Sequence, residues 1–430
     1  MAFRHLEFDE SLHEAIKIFA LSRKAPFYSD KYSEVQLPGN HEDWLRVPLL
    51  TKQEVLRRSY PESLDMLTMP LENMIVVATG GSTGVARHIV LTHEEWDLFA
   101  DMQAEALKLM GITTQDKVAN LFVAGHMWPS FLGGHEIIKK IGAIHLPISA
   151  NMPPQEAYEI CMQFQPNVML SLPTLFDFMA MEAKKSGKKF DNLKLVAYAG
   201  EQMSRAARTQ IAKHLGCEKI RALAYTSSDA GLMGYQCEHC ESYEYHVPTG
   251  FQFIEIIDSE TGRPAEPGQS GEMVITNLGR ISLPIVRYLI GDMGHFAEGQ
   301  CKCGDPNPVF ALEGRTGDDF KLGGGFISME AIDDAVGNYA DDLSMNYQVV
   351  LEDIEDQMDI YIRIECADES CDPAIAKNLR SDLLGAVPEF AKGLELNYIR
   401  NFEVETLKPG SLERSPRTGK IRKLVDKRHD

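Results

Sequence analysis

The sequence contains no apolar run of about 18 residues, so nothing in it reads as a membrane-spanning helix. Positive charge is also short. Lysine and arginine number 43 against 63 aspartates and glutamates, a formal net charge of −20. Such a balance disfavours DNA, RNA and anionic lipid as bulk partners, though local groups can still hold a small anion. Cysteine is sparse, at eight residues in 430, and a chain this long builds a core that needs no disulfide framework. The first 24 residues carry charges inside their apolar pattern, so the expectation is an amphipathic helix over residues 8–22 rather than a signal peptide. A cytoplasmic location is the resulting expectation. No internal repeat and no low-complexity tract is present.

What is there alternates. From about residue 93 to 225, helical and strand patterns follow one another, several helices opening on proline and closing on glycine. Alternation of this kind predicts parallel strands with crossover helices. Residues 251–278 then read as a β-hairpin around a Pro/Gly-rich turn, the start of a β-rich region. After about residue 316 the pattern becomes a small α+β unit. The expected division is residues 1–316 and 317–430. The expected class is α/β: a large N-terminal domain of parallel α/β sheet plus β-rich subdomain, and a small mobile α+β C-terminal domain.

The stretch VVATGGSTGVARHIVLT, residues 76–92, lies between two apolar runs. It lacks the GK[ST] ending of a Walker A loop, and the GxGxxG with acidic partner of a dinucleotide fold. Thr79, Gly80, Gly81, Ser82, Thr83 and Gly84 nevertheless offer unshielded backbone N–H groups and hydroxyls, a strip able to wrap polyphosphate oxygens. Cysteine is clustered as Cys237-x-x-Cys240 and Cys301-x-Cys303, two close pairs able to complete a tetrahedral thiolate cage for Zn²⁺. Cys161, Cys217, Cys366 and Cys371 read as single thiols, Cys161 and Cys366 as small hydrophobes. No nucleophile–His–acid set calls for a hydrolase.

Further stretches follow in order: Gly200-Glu201 after an apolar strand, YTSSDAG at 225–231, RYLIGD at 287–292, EGRTGDD at 313–319 and RTGKIRK at 417–423. With the glycine loop, this series resembles the adenylate-forming superfamily, and within it the phenylacetate–coenzyme A ligases, from about residue 70 to 425. The resemblance implies an ATP-dependent acid–thiol ligase. Such an enzyme joins a carboxylate to AMP with release of pyrophosphate, then passes the acyl group to coenzyme A. It assigns Thr79 to Gly84 to the β- and γ-phosphates of ATP and Gly200-Glu201 to the edge of adenine. Tyr225 is assigned to stacking on adenine, Asp292 and Arg315 to the ribose, and Lys420 to adenylation. Thr226 and Ser227 belong to the nucleotide motif, and Gly317 and Asp318 to the hinge of the C-terminal domain. It further implies Mg²⁺ held with help from Asp229, which stands where the family has Glu.

The resemblance places His126, Met127 and Trp128 on the wall of the acid pocket. An aromatic wall suits an aryl or arylacetic acid, while His126 points to a polar or larger one. It also offers His246 as a zinc ligand in place of one cysteine, Cys240 first, leaving five candidates for four positions. The acceptor stays open between coenzyme A, an amine and a carrier protein, and a non-catalytic nucleotide-binding relative is the rival outside enzymes. The remaining partner expectations are a small-molecule carboxylic acid, no nucleic acid, no membrane, and a homodimer through the N-terminal region.

Overall fold

The structure is a computed structural model. It describes residues 3–79, 87–200, 203, 205–241, 243–315, 320–322, 325–327, 329–354, 357–414, 421 and 423–427. Among them no helix is long and apolar enough to cross a membrane.

Five parallel strands form the first sheet, in the order Ile144–Leu146, Lys117–Asn120, Val168–Ser171, Leu195–Tyr198, Lys219–Ala222. The intervening helices are Pro129–Ile141, Pro154–Phe164, Pro173–Ser186 and Arg205–Leu215. Three open on proline, whose missing N–H costs nothing in a first turn, and Gly142 and Gly187 end two of them in the left-handed region. The helix Pro129–Ile141 sits close on the sheet because Gly134 has no side chain. A Cβ there would lie 2.9 Å from the amide of Asn120, which is buried and donates to the Phe131 carbonyl.

A second, antiparallel sheet runs Glu244–His246, Val309–Arg315, Tyr288–Phe296, Gly271–Asn277, Gln252–Ile257. The expected hairpin forms its last two strands. The N-terminal segment is tied to this sheet through a buried ion pair. Arg287 Nη2 lies 2.9 Å from Glu255 Oε1, and both side chains are almost fully enclosed. Trp44 Nε1 donates to Glu255 Oε2 at 3.0 Å, and Arg287 Nη1 donates to the carbonyls of Leu45 and Val47. Each charge is thus neutralised and both carboxylate oxygens are hydrogen-bonded, the condition under which a buried pair is tolerated.

The C-terminal sheet runs Ile399–Leu407, Gln357–Cys366, Leu343–Ile354, Leu424–Asp426. Ile360, Ile362 and Ile364 alternate onto one face and are fully buried with Leu379, Leu383 and Phe390 of the covering helices Pro373–Ala386 and Pro388–Glu395. Burying each isoleucine contributes about 1.5–3 kcal/mol. This core, spanning residues 327–402, is distinct from the main core. One expectation is corrected here. Cys366 is not a lone thiol in a strand but is bonded to Cys371, since the sequence between them turns back within five residues.

Candidate active site

The strands Met74–Ala78 and His88–Thr92 pair antiparallel, Ala78 opposite His88. One step beyond, the Thr79 N–H donates to the Arg87 carbonyl at 2.9 Å, and the Arg87 N–H donates to Thr79 Oγ1 at 3.0 Å. These bonds close the neck of the glycine loop. Gly80, Gly81, Ser82, Thr83 and Gly84 lie outside the described residues, as do Glu201, Gly317, Asp318 and Lys420.

Asp229 sits in the turn between the short strands Tyr225–Ser227 and Gly231–Gly234, which pair antiparallel. Ser227 Oγ accepts from the Ala230 N–H at 2.9 Å, and Gly231 takes a φ of 81° that favours glycine. The Asp229 carboxylate is 2% exposed and fully engaged. Arg87 Nε reaches both oxygens at 3.1 Å, Arg87 Nη2 donates to Oδ2 at 2.5 Å, and the Tyr288 hydroxyl donates to Oδ2 at 2.9 Å. Arg280 donates to the Asp229 carbonyl. Burial works against the Arg87 cation, but the Asp229 charge and hydrogen bonds outweigh it and hold its pKa above the ordinary value. Burial, then the Asp229 charge, pushes the Tyr288 phenol well up, so it stays a donor.

Four residues past Tyr288 on the same strand is Asp292, buried, which accepts a short hydrogen bond from the Tyr225 hydroxyl. The backbone of Arg315 pairs with Asp292 across the sheet. Tyr225 is half-buried, its ring against Tyr245 and Phe310. Gly200, φ 81°, follows the strand Leu195–Tyr198. The network Arg87–Asp229–Tyr288, then along the strand to Asp292–Tyr225, joins three sequence stretches expected to handle phosphate, adenine and ribose. Lys52 was not anticipated. Its ammonium lies 2.7 Å from where a Gly291 Cβ would be, one residue from Asp292, and no spacing in the sequence links 52 to 291.

The expected pocket wall is a left-handed turn. Gly125, His126 and Met127 all have positive φ, at 95°, 53° and 60°. Two consecutive non-glycine residues there store backbone strain. The Met127 carbonyl accepts from the Ala78 N–H at 2.8 Å, fastening this turn to the neck of the glycine loop. His126 stacks loosely on Trp128, 5.0 Å between centroids. Both His126 and Met127 are exposed, Met127 at 49%, so their side chains crest the site rather than enclose it. Trp128 caps the helix Pro129–Ile141, and its indole N–H is enclosed with no hydrogen-bond partner among the described residues.

The cysteine clusters do meet. Ligand atoms of Cys237, His246, Cys301 and Cys303 all lie within 4.8 Å of one another. Cys237 Sγ is 3.6 Å from Cys301 Sγ, and Cys303 Sγ is 3.4 Å from His246 Nε2. The His246 Nδ1 pairs with the Asn307 carbonyl at 2.9 Å, which fixes the tautomer and leaves Nε2 as the lone-pair nitrogen. Cys240 stands outside this set of four. Its sulfur accepts from the Cys237 N–H, a supporting contact. Two Cys, one at each pair, plus a third Cys and a His are a tetrahedral donor set suited to Zn²⁺.

The family described as AMP-binding enzyme matches residues 67–279. A curated phenylacetate–coenzyme A ligase of Thermus thermophilus is 26% identical over 94% of this chain and 93% of its own length. The Escherichia coli phenylacetate–coenzyme A ligase is 27% identical over 64% of each chain. Among solved structures, 2-hydroxyisobutyryl-CoA ligase in its postadenylation state superposes with a TM-score of 0.82 at 19% identity, covering 98% of this chain and 90% of that one. The class is therefore that of the adenylate-forming enzymes. Within it, the chain is a phenylacetate–coenzyme A ligase-like member, by motif order and by its similarity over nearly the whole length to the Thermus protein.

Proposed function

We propose that the protein is an AMP-forming acid–coenzyme A ligase. A carboxylate oxygen attacks the α-phosphorus of ATP, pyrophosphate leaves, and the acyl-adenylate then yields a thioester and AMP when the coenzyme A sulfur attacks the acyl carbon. Oxide is a poor leaving group and AMP a good one, which is why the acid is first joined to phosphate. The observation that carries the reading is the pair of hydrogen-bonded clusters on one strand, Arg87–Asp229–Tyr288 and Asp292–Tyr225, in a chain with the AMP-binding match. Tyr225 fixes the Asp292 carboxylate, and a carboxylate is the acceptor that a ribose diol requires. Lys420 is assigned the neutralisation of charge as carboxylate and phosphate meet.

The acid is proposed to be aryl or arylacetic, with His126, Met127 and Trp128 as the candidate wall residues. Mg²⁺ is taken to arrive with the nucleotide. The Asp229 oxygens already face the Arg87 guanidinium and the Tyr288 hydroxyl, and no step is drawn through the metal. Cys237, His246, Cys301 and Cys303 are proposed to hold a structural Zn²⁺, and residues 317–430 to form the mobile lid. The setting is taken to be the cytoplasm.

ATP–pyrophosphate exchange across a panel of carboxylic acids tests the first half-reaction. Thioester formation with and without coenzyme A tests the second. Exchange with no acid in the panel would remove the reading. Exchange without a thioester would move the acceptor to an amine or carrier protein.

A further inference from the structure

The loop that carries Cys303 is tied to the start of the chain. Its hub is Asn307, which is buried. The Asn307 carbonyl meets His246 Nδ1 at 2.9 Å. Its Oδ1 accepts from the Thr249 hydroxyl at 2.7 Å and lies 3.3 Å from His5 Nδ1. Its Nδ2 donates to the Tyr235 hydroxyl at 3.0 Å and to Asp305 Oδ1 at 2.9 Å. The Asp305 N–H donates to Cys303 Sγ at 3.4 Å, and the Tyr235 hydroxyl donates to Asp305 Oδ2 at 2.6 Å. One buried cluster therefore orients two of the four candidate metal ligands, His246 and Cys303. The same cluster holds residues 3–11 from its other side. The Phe3 ring stacks on Tyr235 with 3.9 Å between centroids, and Tyr235 stacks on His246 at 5.3 Å. The Thr249 hydroxyl accepts from the Leu6 N–H at 2.8 Å, and the Thr249 carbonyl accepts from the Ser11 hydroxyl at 2.8 Å. The Gly250 N–H donates to the Arg4 carbonyl at 3.2 Å. Residues 3–6 lie in no helix or strand, so these contacts and the packing of Phe3 and Leu6 fix them.

Resting on the proposed zinc site, we infer that the centre formed by Cys237, His246, Cys301 and Cys303 is the clasp of the N-terminal segment. Metal binding and the docking of residues 3–11 are one linked equilibrium, and Asn307, Tyr235 and Thr249 carry the coupling. An ion bonded to His246 and Cys303 fixes the strand and the loop that hold these three side chains. The segment then docks on a platform whose ordering cost is already met. Linkage makes the effect reciprocal: the factor by which the ion favours docking is the factor by which docking favours the ion.

Hydrogen exchange, read by mass spectrometry on zinc-loaded and chelator-stripped protein, tests this together with zinc affinity measured by competition against a chromogenic chelator. Stripping the metal should speed exchange over residues 3–11 and around Gly250 about tenfold or more. The parallel strands Val168–Ser171 and Leu195–Tyr198 should change less than about twofold. The F3A/H5A variant weakens docking and should bind zinc about threefold more weakly or worse, although neither residue is a ligand. T249V removes the hydroxyl between Leu6 and Asn307. In it, exchange over residues 3–11 should already be fast in the loaded protein, and stripping should add less than about twofold. Bound zinc whose removal leaves residues 3–11 unchanged removes the inference alone, and so does unaltered zinc affinity in F3A/H5A. An equal rise across the parallel strands makes the ion a support of the whole fold and overturns the inference too. A wild-type protein that binds no zinc removes the proposed metal site and this inference together. The wild-type exchange measurement decides the matter even if neither variant folds.

Discussion

Replacing Asp292 by Asn changes one charge and almost no volume. The carboxylate is buried and holds the Tyr225 hydroxyl on Oδ2, so it is already oriented before any ligand arrives. A ribose diol would add two O–H donors to it. Hydrogen bonds to a charged acceptor contribute about 1.5–3 kcal/mol, against about 0.5–1.5 for neutral ones, so removing the charge costs about 1 kcal/mol or more per bond. Two bonds give about 2–3 kcal/mol, a loss of roughly 30- to 150-fold in ATP affinity. Calorimetric titration of wild type and D292N with ATP, 2′-deoxy-ATP and 3′-deoxy-ATP checks this. Each deoxy analogue makes one bond fewer, so the penalty of the substitution should fall to about half. The same penalty for all three nucleotides, or none for ATP, would refute the assignment of Asp292 to the ribose.

Three other outcomes follow from the geometry. Glu255→Ala leaves Arg287 buried without its counter-ion, and should cost about 3–5 kcal/mol in denaturant unfolding. The E255A/R287M double variant should cost less than the sum of the singles. Metal analysis of purified protein should give near-stoichiometric zinc that C303S or H246A abolishes and C240S retains, with chelation lowering the thermal midpoint. Lys420→Ala should abolish adenylate formation while ATP binding persists. Loss of ATP binding in that variant would move the lysine from the transition state to the ground state.

Much of the architecture could be read along the chain because it is local. Prolines at 129, 154 and 173 open helices, glycines close two of the three, and the hairpin between Gln252–Ile257 and Gly271–Asn277 announces itself by its turn. The amphipathic pattern at 8–22 is the helix Phe8–Ser22. The site was legible only where a motif names a residue. What tertiary packing brings together was not. Arg87 and Asp229 are 142 positions apart, and Lys52 lies far from Gly291 in the chain. Neither contact leaves a periodicity or spacing to find. The grouping of the candidate metal ligands likewise needed the fold, since only the sheet brings His246 within 4.8 Å of Cys237, Cys301 and Cys303. At 125–127 the sequence carries one glycine where three residues are left-handed, so propensity hides the turn.

The central claim is that a substrate carboxylate becomes bonded to AMP. An acid that supports pyrophosphate exchange, labelled with ¹⁸O in both carboxylate oxygens, tests it when converted to thioester with coenzyme A and ATP. The account predicts one ¹⁸O in the phosphate of the AMP released, by mass spectrometry. Label in inorganic phosphate, or AMP free of label while thioester forms, would contradict it.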